Sequence, residues 1–100
     1  MNMQQMVMQA QKMQRELKKA KDELAKQEFT VSKGGAVTVV MMGDKTIKTI
    51  SIDEDAFDKD NKEMVEEMIA LAINELFEKI SVAEEKIEEK ITGRAGGFGF

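Results

Sequence analysis

Residues 3–28, MQQMVMQAQKMQRELKKAKDELAKQE, carry apolar side chains at Met3, Met6, Ala10, Met13, Leu17, Ala20 and Leu24. The steps alternate between three and four residues without a break, the heptad pattern of a helix committed to another helix. No Pro or Gly occurs before Gly34, so the pattern predicts one helix from Met3 to about Glu28, on the order of 40 Å long. A rod of that length outgrows any core that 100 residues can build. It needs a second long helix beside it, from this chain or from a partner, and its outer face is left for function.

That outer face is basic. With Met3 at heptad position a, Lys12, Lys19 and Lys26 all fall at c, Arg15 at f and Lys18 at b, with only Asp22 opposing them, while Glu16 and Glu23 fall at g. Two readings compete. Lys12 with Glu16, Lys18 with Asp22, Lys19 with Glu23 and Asp22 with Lys26 have the spacing of helical ion pairs worth about 0.2–0.5 kcal/mol each, which makes a merely solvated face. Alternatively, the lane meets phosphate. The methionines Met1, Met3, Met6, Met8 and Met13 are better read as packing for an adaptable interface than as a thioether site for cuprous ion, because no Cys or His accompanies them.

From Phe29 the period changes to two. Phe29 and Val31 alternate with Thr30 and Ser32; Gly34-Gly35 supplies a turn; Val37, Val39 and Met41 then share one strand face, with Ala36, Thr38, Val40 and Met42 on the other. Gly34-Gly35 lacks the remaining glycines, the Lys-Ser/Thr pair and the following helix of a phosphate loop, so it is a hairpin turn. Gly43-Asp44 is the next turn. The third strand runs from Lys45 to Ile52, with Ile50 and Ile52 on one face and Ile47 opposite them unless a bulge intervenes. Three strands joined by tight turns form an antiparallel meander. Its middle strand is apolar on both faces near its end, a pattern that calls for a second subunit over the exposed face or edge.

Residues 53–60 form an acidic link. It lacks the turn Gly and closing Glu of a calcium loop, and Asp60 with Glu63 reads as a capping box opening a helix over 61–92 that Gly93 ends. The first half of that helix is apolar over a wide arc from Met64 to Phe77, as for a helix on a sheet. Beyond Phe77 the arc narrows to Ile80, Ala83, Ile87 and Ile91, a stripe suited to pairing with the first helix. Its outer face, with Glu84, Glu85, Glu88 and Glu89, would repel phosphate. The fold expected is α+β, an α-β-β-β-α single domain over 1–92, with a Gly-rich flexible tail at 93–100.

Composition narrows the chemistry. The formal net charge of -4 conceals an asymmetry: residues 1–52 hold 9 Lys/Arg against 5 Asp/Glu, and residues 53–100 hold 6 against 14. There is no Cys and no His, which removes thiolate sites, the commonest metal ligand and the commonest general base. Ser32, Ser51 and Ser81 have no His to activate them, so no enzyme, cofactor or small-molecule substrate is expected. No apolar run is long enough to span a bilayer and no basic region precedes an apolar block, so the expected place is the cytoplasm.

Several runs resemble the YbaB/EbfC family of small bacterial nucleoid-associated proteins: Gln9-Ala10-Gln11-Lys12-Met13-Gln14 in a Met-rich helix, Gly34-Gly35-Ala36-Val37-Thr38-Val39 opening a strand, Ile50-Ser51-Ile52-Asp53 closing the next, Leu71-Ala72-Ile73-Asn74-Glu75 in the second long helix, and the Gly-rich tail. Their order and spacing, over nearly the whole chain, carry the likeness. Two positions depart from it, Glu54 where the family often has Pro and Leu76 where it has a small residue; both concern packing. The resemblance implies a homodimer formed around the sheets, with helical arms projecting like tweezers, and DNA binding without cofactor or catalysis. It transfers no fixed set of contact residues, so the site expectation rests on charge: Lys12, Arg15, Lys18, Lys19 and Lys26 on the phosphates of double-stranded DNA, with weak sequence preference because the lane has few groups able to read base edges. The alternative is a protein-interaction adaptor whose arms grip a partner helix through Met3, Met6 and Phe98.

Overall fold

A computed structural model of the chain describes residues 2–93. The elements follow in the order α1 (Met3–Ala25), β1 (Glu28–Lys33), β2 (Val37–Met42), β3 (Ile47–Ile52), two short 3-10 turns (Glu54–Ala56 and Lys59–Asn61) and α2 (Lys62–Thr92). The expected α-β-β-β-α architecture is therefore present. The expected flexible tail, apart from Gly93, lies outside the described residues, as does Phe98.

The start of α1 is fixed by a reciprocal cap. The Gln5 backbone N–H donates to the Asn2 side chain at 2.8 Å, and the Asn2 N–H donates to the Gln5 side chain at 3.4 Å, which satisfies two of the donors that a helix start leaves free. The helix ends at Ala25, about three residues earlier than its pattern suggests. There the chain turns into β1, and the Gly43 N–H donates to the Gln27 carbonyl at 2.9 Å, a bond to a distant loop that no local pattern encodes.

The sheet is antiparallel in the order β1-β2-β3. Val37, Val39 and Met41 of β2 point to α2 and are almost fully buried with Leu76, Ile80 and Ala72. Ala36 departs from its expected place on the opposite face: it lies before the strand begins and is buried in the core. Val40 and Met42, on the far face, are half-buried, and Ser32 and Thr38 share a 2.9 Å hydroxyl bond there. A bulge between Val40 and Met41 pairs Met41 with Ile47, so Ile47 turns to the same face as Ile50 and Ile52. The Gly43 turn is longer than two residues. It places Lys45 at φ 70, and the Thr46 N–H donates to the Asp44 carboxylate at 2.9 Å.

The Asp60–Glu63 capping box does not form. Asp58 instead accepts the Asp60 N–H at 2.9 Å, capping the second 3-10 turn, and Asn61 precedes α2 without a side-chain cap bond. Two tight turns absorb the acidic link, so the helix starts one residue later and its cap moves back onto the turn. At its other end α2 stops at Gly93 in the left-handed region, φ 75, a conformation that favours Gly. Ile80, expected to open the seam stripe, is drawn into the sheet core; past the sheet α2 lies against α1, with Ala83, Ile87 and Ile91 half-buried, Leu17 and Ala20 of α1 half-buried and Leu24 buried. The result is an elongated molecule, 68 × 23 × 14 Å.

Candidate nucleic-acid interface

Beyond that seam, the N-terminal part of α1 projects past the end of α2. The Lys21 ammonium reaches Glu88 at 3.5 Å, and α2 ends four residues after Glu88 while α1 continues eighteen residues before Lys21. Met3, 79% exposed, is therefore on an uncovered arm.

Lys12, Arg15, Lys18, Lys19 and Lys26 are all exposed on α1. Arg15, Lys18, Lys19 and Lys26 line a shallow depression with Asp22 and Glu23, and Lys12 lies one turn further toward the tip. Of the four ion pairs that would make this face merely solvated, only Lys18 to Asp22 forms, at 3.1 Å. Among the described residues Lys12, Arg15, Lys19 and Lys26 make no ion pair. Successive c positions are seven residues apart, so Lys12, Lys19 and Lys26 are spaced by about 10 Å along the rod. That geometry can present several ammonium and guanidinium groups to one polyanion at the same time.

Elsewhere several lysines are held by carboxylates across elements. Lys33 contacts Glu75 at 2.6 Å, Lys45 contacts Glu84 at 3.4 Å and Lys48 contacts Glu28 at 2.9 Å. The hydrogen bond from the Lys33 ammonium holds the Glu75 carboxyl below its ordinary range. Which lysines pair this way depends on how the strands and α2 come together, so charge spacing in the sequence cannot separate paired from unpaired cations. The glutamates of distal α2 partly serve as such partners, through Glu84 and Glu88, while Glu85 and Glu89 are exposed.

No group of three or more acidic residues among the described residues is arranged to hold a metal ion. No described helix is long and apolar enough to cross a membrane.

Residues 1–95 match the model of the YbaB/EbfC DNA-binding family. A nucleoid-associated protein of Mycoplasmopsis pulmonis is 41% identical over 91 residues, covering 91% of this chain and 90% of its own. One of Acetivibrio thermocellus is 40% identical over 99 residues, covering 98% of this chain and 85% of its own. A third, of Metamycoplasma arthritidis, is 37% identical over 90 residues, covering 90% and 94%.

Proposed function

This chain belongs to the YbaB/EbfC DNA-binding family, and we propose that it binds double-stranded DNA as a homodimer, chiefly through the phosphate backbone and with weak sequence preference. Family membership and the names of its relatives support a nucleoid-associated, DNA-binding role. The observation that carries the mechanism is the row of four cations, Lys12, Arg15, Lys19 and Lys26, that make no ion pair among the described residues and lie on the exposed face of a projecting helix. Lys18 joins them, shared with Asp22. Cations that neutralise phosphates release condensed counterions, so most of the affinity comes from the duplex backbone and little of it from base identity.

Support for the homodimer comes from β3. Ile47, Ile50 and Ile52 face the same side as the core strand positions of β2, yet α2 lies over β1 and β2 and leaves them exposed; Ile50 is 45% and the neighbouring Phe57 80% accessible. Ile52 and Phe57 also line a groove with Val65 and Ile69 at the start of α2. An open edge strand and an apolar groove side by side are the surface that a second copy would cover. A dimer doubles the lane.

If each subunit contacts about three phosphates, log affinity against log salt falls with a slope of roughly -5. Fluorescence anisotropy on two unrelated duplexes, with the mass of the free protein measured alongside, checks this; a slope near zero rejects backbone binding. The adaptor reading has the exposed Met3 and Met6 in its favour, but it predicts salt-insensitive association and leaves the unpaired cations without a role.

A further inference from the structure

The basic lane does not stop at Lys12; it changes chemistry. Gln4, Met8, Gln11, Arg15 and Lys18 are separated by four, three, four and three residues, so they form one stripe along α1. Its proximal part is cationic. Its distal part, beyond the end of α2, carries an amide, a thioether and an amide, and residues 2–11 contain no charge at all. Met8 is 61% exposed and points away from the heptad seam, so helix packing does not account for it. Asn2 and Gln5 spend their amides on the N-terminal cap, whereas among the described residues Gln4 and Gln11 make no side-chain hydrogen bond.

We propose that this arm tip enters the major groove and reads A·T pairs, with Gln4 and Gln11 hydrogen-bonded to adenine edges and Met8 against a thymine methyl. The proposal rests on the DNA-binding reading and deepens it by naming the base edges met. A side-chain amide matches adenine, accepting from N6–H and donating to N7, and an apolar side chain matches the thymine methyl. A single helix of about 10–12 Å diameter fits a major groove about 12 Å wide. Gln4 and Gln11, seven residues apart, span about 10 Å, or roughly three base pairs. The lane behind them then lies where the helix leaves the groove and meets the phosphates. Uncharged tip residues are suited to this position because they contribute no repulsion toward the duplex and no strong attraction that would mask base identity.

The test compares binding, at one fixed salt concentration, to equal-length duplexes made only of A·T pairs or only of G·C pairs, and to the A·T duplex with 7-deazaadenine throughout. That last duplex keeps charge and pairing but removes the N7 acceptor. The natural chain is expected to favour the A·T duplex about tenfold, a preference equal to roughly 1.4 kcal/mol, and to lose most of it on the 7-deaza duplex. The triple variant Gln4→Ala, Met8→Ala, Gln11→Ala, which keeps good helix formers throughout, is expected to bind all three duplexes alike, at the natural chain's G·C affinity. Equal binding of the natural chain to A·T and G·C duplexes, or a preference that survives the triple variant or the 7-deaza duplex, overturns the inference while leaving backbone binding in place. Absence of binding to every duplex overturns the DNA-binding reading itself.

Discussion

Replacing Lys12, Arg15 and Lys19 together by Glu reduces affinity for any duplex by at least about a hundredfold at ~0.1 M salt, below the range of a mobility-shift or anisotropy assay. The triple variant converts three unpaired cations per chain into three anions on the face proposed to hold DNA, and a homodimer doubles the change. Non-specific affinity is almost entirely the phosphate term, so losing about six contacts removes most of it, and the new carboxylates add repulsion. The fold is expected to be untouched. All three side chains are exposed and form no ion pair among the described residues, and Glu is as good a helix former as Lys or Arg. Circular dichroism and native mass should match the natural chain. Unchanged DNA affinity in a well-folded variant would move the site away from α1.

The largest expected loss of stability comes from a position without chemistry. Gly43 is buried beneath the end of α1, and a Cβ added there would overlap the Leu24 carbonyl oxygen and stand 2.6 Å from the carbonyl carbon and 3.1 Å from Leu24 Cγ. Most of these atoms are backbone and cannot rotate away. Gly43→Ala therefore has to push α1 off the β2–β3 turn, straining the bond from the Gly43 N–H to the Gln27 carbonyl and the packing of Leu24, which is 4% exposed. The expected cost is roughly 3 kcal/mol or more, a fall in Tm of about 12–24 °C for a domain this size. Gly35→Ala is the control. It has the strained φ of 65 but nothing within 4 Å, so it should cost only about 1–2 kcal/mol. Thermal unfolding of the two variants separates the cases; equal shifts would mean that α1 does not rest on the turn as described.

These two predictions differ in how far the sequence foretells them. The heptad from Met3 to Leu24, the period-two runs around Val31 and Val39 and the stripe from Ile80 to Ile91 are local patterns, and each produces the element it implies. The position of the lane is equally legible, since a helix places residues three and four apart on one face whatever surrounds it. Gly43 is different. Beside Asp44 it looks like an ordinary turn residue, and only the descent of α1 onto that turn makes a side chain there intolerable. The same long-range contact ends α1 at Ala25, and the packing of α2 on the sheet and on α1 decides that Lys33, Lys45 and Lys21 find carboxylates. The helical pairs Lys12 to Glu16 and Lys19 to Glu23 had suitable spacing and do not form, because an exposed pair gains too little to hold two long side chains in one arrangement. The start of α2 is shifted by a related competition, in which Asp53 and Asp58 cap short turns of their own before the helix begins.

The claim on which the mechanism turns is that α1, and not α2, holds the duplex. Lysine acetylation followed by mass spectrometry, with and without a saturating amount of duplex DNA, reads this residue by residue. DNA is expected to protect Lys12, Lys18, Lys19 and Lys26, while Lys79, Lys86 and Lys90 on α2 react equally in both samples. Protection confined to the α2 lysines, with those of α1 unchanged, would contradict it.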